Sequence, residues 1–192
     1  MSRQFWTECL AWATAAGTAI ASSATETILF PNVTLPAGFM QDGRVLRLTA
    51  FGGYGTTATP TLKFSVRWGG VSGTVLAAQA ANVTTSGTGG GASMTSLWEL
   101  LAVIQTRSNG SSGTLFTNGH SILHTATLLT AGTVTNYGQV APLVSGSTGG
   151  TTPVAVTADL TADTALSLTA VWGTSNAANS IRGDMYIIEA LN

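Results

Sequence analysis

Charge is what this sequence lacks most. Only 8% of its 192 residues are Asp, Glu, Lys or Arg, against about 25% in an ordinary soluble domain. A free enzyme keeps itself dispersed with a charged surface. A surface of Thr, Ser, Gly and Ala suits a protein covered largely by partners or by copies of itself. There is one lysine, Lys63, and no basic cluster; 7 basic and 8 acidic residues leave a net charge of -1. Nucleic-acid binding needs clustered Lys and Arg to neutralise phosphates, so no direct nucleic-acid partner is expected. The lone cysteine, Cys9, excludes an intrachain disulfide. No apolar run reaches the ~18 residues of a membrane-spanning helix, so no membrane partner is expected. The segment Phe5 to Ile20 follows an arginine and is Ala-rich, as a secretory leader would be. Glu8, Thr7, Thr14 and Thr18 interrupt it, and Trp6 and Trp12 are foreign to a leader, so it is read as part of the protein.

Catalytic and metal-binding constellations are missing too. The two histidines, His120 and His124, are spaced for a metal on a helix. On a strand the same spacing holds them about 13 Å apart, too far to chelate one ion. Asp159 and Asp163 flank a turn, where Asp is an ordinary residue. Eight scattered acids single out no pair for glycoside hydrolysis. The Gly-rich run 87–91 has neither the lysine nor the strand-to-helix setting of a phosphate cradle. Arg182-Gly183-Asp184 spells an adhesion tripeptide but falls inside an expected strand, and the three sequons, at Asn32, Asn82 and Asn109, are ordinary in a Thr-rich chain. No enzyme activity and no cofactor are expected.

What is present is alternation with period two, the mark of strands. In 164–172, Leu166, Leu168, Ala170 and Trp172 share one face. In 181–189, Ile181, Met185 and Ile187 are expected on one face, with Tyr186 and Ile188 on the other. In 61–68, Leu62, Phe64, Val66 and Trp68 point in, and Lys63, Ser65 and Arg67 point out to solvent or an interface. Leu46, Leu48 and Ala50 are the inward set of 44–52, and 53–60 is expected as a loop. The stretch 94–107 is apolar on both faces, as a buried central strand would be, and Asn109-Gly110 turns it into a hairpin with a return strand after Ser112. Shorter strands are expected at 25–30, 74–79 and 154–157. Gly- and Ser-rich polar stretches, 84–93 and 133–153, separate the strands. Eight to ten strands with no helix give an all-β fold, a β-sandwich of jelly-roll type. Residues 1–24 are expected as an N-terminal arm or first strand, and 25–192 as a single sandwich domain.

The run Thr25-Glu-Thr-Ile-Leu-Phe-Pro-Asn-Val-Thr-Leu-Pro-Ala-Gly-Phe-Met-Gln-Asp-Gly-Arg-Val-Leu-Arg-Leu-Thr-Ala-Phe-Gly52 resembles the opening of small β-sandwich virion proteins of tailed bacteriophages. Thr61 to Gly70 is similar to the strand that follows in them, and the Trp172 strand, the turn 176–179 and the strand 181–189 look like their C-terminal hairpin. The resemblance implies a jelly-roll capsid decoration (cement) protein. It would be assembled in the host cytoplasm and sit on the capsid surface. Its partners would be the major capsid protein and copies of itself, a trimer being favoured over a dimer. No functional residue carries over, because such proteins work by surface packing. In the arm, Phe5, Trp6 and Trp12 are candidate partner contacts; Trp6 and Trp12 are either interface anchors or members of the core. The alternative is a tail-fibre or receptor-binding module that recognises a host surface glycan. It would use exposed loop aromatics, for which Tyr54 and Tyr137 are the candidates.

Overall fold

A computed structural model describes residues 7–56, 60–79, 83–84, 94, 96–124, 138–146 and 152–191. Among them every regular element is a strand. In chain order these are β1 (Thr7–Trp12), β2 (Ile20–Ala21), β3 (Thr27–Ile28), β4 (Val33–Leu35), β5 (Val45–Gly55), β6 (Thr61–Trp68) and β7 (Thr74–Gln79), followed by β8 (Val83–Thr84), β9 (Ser96–Ser108), β10 (Gly113–Leu123), β11 (Gln139–Ser145), β12 (Val156–Ala158), β13 (Thr164–Trp172) and β14 (Ser180–Leu191). All pair antiparallel in one sheet, in the order β1-β14-β5-β9-β10-β11-β7-β6-β13-β3. The short strands β2, β4, β8 and β12 attach to β14, β13, β6 and β10.

The sheet turns back on itself. Phe64 on β6 and Trp98 on β9 are separated by three intervening strands in the hydrogen-bonded order, yet their ring centroids lie 4.9 Å apart. Phe30 completes the contact, 6.4 Å from Trp98 and 4.6 Å from Tyr186 on β14. One core lies between the two halves. Leu46, Leu48 and Ala50, then Leu62, Phe64, Val66 and Trp68, then Leu166, Leu168, Ala170 and Trp172 are all buried there, each set as its alternation requires. β9 alternates as well. Trp98, Leu100, Ala102 and Ile104 are buried, whereas Leu97 is 61% exposed, so the strand is central in the sheet but covered on one face only.

The single covered face of β9 corrects the expectation of burial on both, and β11 is a strand inside 133–153, a stretch expected as a polar connection. Three further expectations need correction. In β14, Met185 and Ile187 are exposed and Tyr186, Ile188 and Ala190 are buried, although Ile181 is buried as expected. The register explains it: Gly183 pairs with Gly52 and Met185 with Phe51, leaving Asp184 as an extra residue. A bulge of one residue reverses the phase of every side chain after it. Next, β5 continues through Gly55, so Gly53 and Tyr54 are strand rather than loop. Finally, the outward side of β6 is not simply solvated. The Arg67 guanidinium is only 16% exposed and is held by Glu26 through two 2.6 Å hydrogen bonds. Thr169 on β13, opposite Ser65, also donates to that carboxylate. Burial would raise the Glu26 carboxyl, but the hydrogen bonds from Arg67 and Thr169 and the positive charge of Arg67 outweigh it and hold the group below its ordinary value.

The N-terminal residues lie along the edge of β14. β1 pairs with Ile187 to Leu191. The amides of Ala13, Gly17 and Ser22 then donate to the carbonyls of Tyr186, Gly183 and Asn179. The segment thus covers a strand edge that would otherwise present a row of free backbone groups.

Candidate functional site: an apolar outer sheet face

Seven large hydrophobic side chains are exposed among the described residues, and five of them, Trp12, Leu97, Val140, Met185 and Ile187, share one surface. The register places them. On the outer side of β14, β5, β9, β10 and β11, one row across the strands runs Met185, Phe51, Glu99, Ile122, Val140. The next row runs Trp12, Ile187, Thr49, Leu101, His120, Pro142. A third brings Glu189, Arg47 and Val103 together, with Arg47 and Glu189 paired at 2.7 Å. Side chains directly opposite one another on neighbouring strands stand ~5 Å apart, so each row is continuous.

The face is not flat. A groove of ≈ 300 Å3 opens on it, lined by Phe51, Leu97, Glu99, His124, Asp184 and Met185. Its shape follows from local sequence. The bulge at Asp184 turns Met185 outward, and Gly52 and Gly53 leave no side chains beside Phe51 on β5. The rim beyond Leu97 is fixed from beneath. The His124 amide donates to the Leu97 carbonyl at 2.8 Å, and the Tyr54 hydroxyl donates to the His124 carbonyl at 2.9 Å.

That bond corrects the reading of Tyr54. The side chain is fully buried and serves the core, because Gly52-Gly53-Tyr54-Gly55 continues β5 and alternation sends Tyr54 inward. Burial pushes its phenol up from the ordinary value. It cannot be a loop contact for a glycan. Trp12, by contrast, lies at the outer end of β1 opposite Ile187 and is 60% exposed. Phe5, Trp6 and Tyr137 lie outside the described residues. His120 and His124 stand on or beside the outer face. Asp159 accepts from the amide and hydroxyl of Thr161 within its turn, which lowers its carboxyl. Asp163 accepts from the Ala37 amide. Arg182 and Asp184 of the tripeptide pair with each other at 2.6 Å.

The exposed face was not visible from the sequence. Its members are spread from residue 12 to residue 187, and they share a surface only through the cross-strand register. The available signal was local: 94–107 is apolar at both parities. Comparison with protein-family models, with curated proteins and with solved structures gives no match.

Proposed function

We propose that this protein is a structural component of a bacteriophage virion, a capsid decoration protein that binds the shell and stabilises it through repeated surface contacts. The observation that carries the reading is the outer face of β14, β5, β9, β10 and β11, where five of the seven large hydrophobics exposed among the described residues collect. A monomer rarely exposes an apolar patch of more than a few hundred Å2, and larger ones mark interaction surfaces. A face built from sheet backbone is rigid and loses little entropy when it is covered. Weak contacts of this kind become strong when symmetry repeats them over a lattice.

A jelly-roll architecture is part of this reading. Four antiparallel pairs, β5 with β14, β6 with β13, the shorter β7 with β11, and β9 with β10, are nested one inside the next along the chain. Nested pairing is what a single long hairpin makes when it is rolled up, and viral capsid domains use such rolls. The resemblance of residues 25–52, 61–70 and 164–189 to phage sandwich proteins points the same way. The glycan-binding alternative has lost Tyr54, one of its two candidate contacts.

Quantitative mass spectrometry of purified particles tests this function. A copy number that scales with the major shell protein is expected. A handful of copies per particle, as for a tail component, would overturn it.

A further inference from the structure

We infer that the outer face is a self-association surface, on which two copies pair about a two-fold axis and the Trp12 side chain of each enters the groove of the other. The partner is a second copy because both halves of the contact are on this chain. The projecting part is Trp12, 60% exposed at the end of β1. The receiving part is the ≈ 300 Å3 groove between Phe51, Leu97 and Met185, large enough for an indole ring. The register fixes their separation. Trp12 stands opposite Ile187, and Met185 at the groove wall is two residues along β14. By strand rise and spacing the indole and the groove centre lie on the order of 10–15 Å apart on the same face.

A projection and a hollow on one face are self-complementary under a two-fold axis between them, so that each meets its counterpart twice. On opposite sides of the molecule they would instead build a ring or a fibre. The axis falls near Ile187 and Thr49, among uncharged side chains. The charges on the face are of both signs: Arg47 is bound to Glu189, Asp184 at the groove is bound to Arg182, and Glu99 stands at the groove wall, so copies do not meet as like-charged blocks. The area is also sufficient. The five exposed side chains offer on the order of 500 Å2, and the polar rows around them bring the face toward the ~800 Å2 per partner of a standard interface. Aromatic anchors in desolvated pockets dominate such interfaces. This geometry favours a pair over the trimer expected from the resemblance. It rests on the proposed function and specifies it: the contact that covers this face is between two copies, and the pair meets the shell through its remaining surface.

The test uses the full chain in a Cys9→Ser background. Analytical ultracentrifugation should show a concentration-dependent dimer. Trp12→Ala and Leu97→Asp should each weaken it at least ~30-fold, as loss of an interface hot spot does. Val71→Asp, at an exposed apolar side chain in the turn between β6 and β7, should leave the dimer unchanged. Circular dichroism confirms that each variant is folded. Mixed Trp12→Cys and Leu97→Cys proteins should then form a covalent heterodimer on mild oxidation. Each protein then carries a single cysteine, so the bond can form only between chains. A monomer at all concentrations, a trimer, or a dimer indifferent to Leu97→Asp would overturn the inference. Monomers bound on particles would sink the pairing and spare the decoration function. Dimers that are absent from particles would do the reverse.

Discussion

Gly52 on β5 lies directly opposite Gly183 on β14, and two aromatic rings occupy the space that their side chains would take. A β-carbon on Gly52 would come within 2.7 Å of the Trp98 indole, and one on Gly183 would collide with the Phe30 ring. Trp98 uses the opening to donate its indole N–H to the Arg182 carbonyl at 3.0 Å. The same place is where the chain adds Asp184 and reverses the phase of β14. The glycine pair thus lets the aromatic cluster close the core, and the bulge beside it turns Met185 out to line the outer groove.

Gly183→Ala should therefore destabilise the fold by roughly 2–3 kcal/mol, the cost of overpacking a close-packed core. Urea denaturation measures it as a lower midpoint with an unchanged slope. Gly110→Ala, at a turn where a β-carbon meets nothing within 4 Å but φ is +105°, should cost about 1 kcal/mol from backbone strain alone.

The glycine pair also shows where sequence reasoning stops. The inward sets of β5, β6 and β13 were legible because each strand keeps strict alternation and buries a single face. The outward turn of Met185 was not: Gly183 inside a strand is a bulge signal, but it does not say that Asp184 is the extra residue or that the phase reverses after it. Tyr54 was misread for a related reason: glycines on either side suggest a loop, but here they are strand residues where rings and backbone approach closely. The pairing of Glu26 with Arg67 joins residues 41 positions apart and depends on where β3 is placed against β13. The outer face is a property of five strands in register, and no single segment contains it.

The Glu26 carboxylate gives a pH prediction. Its pKa is depressed in the folded state. Its contribution to stability is therefore complete above the ordinary glutamate value of about 4.3 and is lost as the pH falls through the lower native value. At pH 7, Glu26→Gln should cost roughly 1–3 kcal/mol, because it leaves the part-buried Arg67 without its counter-charge. The gap between wild type and variant should close as the pH drops below about 4. Thermal melts of both proteins from pH 7 to pH 2.5 check this.

Tyr54 yields a third test. Tyr54→Phe removes the hydroxyl that holds the His124 carbonyl and should cost about 1 kcal/mol. Tyr54→Ala empties a fully buried aromatic site and should cost about 3–5 kcal/mol. In the wild type the buried phenol should ionise above its ordinary value, visible as a delayed phenolate component in an ultraviolet titration.

Removing residues 1–20 strips β1 and the backbone contacts of Ala13 and Gly17 from β14. The truncated chain should retain the core, lose the pairing anchored by Trp12 and expose a β14 edge, so it should form edge-to-edge assemblies larger than the dimer of the full chain. Light scattering at matched concentrations follows this.

The central claim is that the protein works by covering surface, through its outer face, on a shell of repeated subunits. The most direct measurement is cryo-electron microscopy of the purified particle with this chain traced in the map. Copies at symmetry-related positions over the capsid are expected, with Leu97, Met185 and Ile187 covered by a neighbouring chain. Copies found only at the tail or at a single vertex, with that face open to solvent, would contradict it.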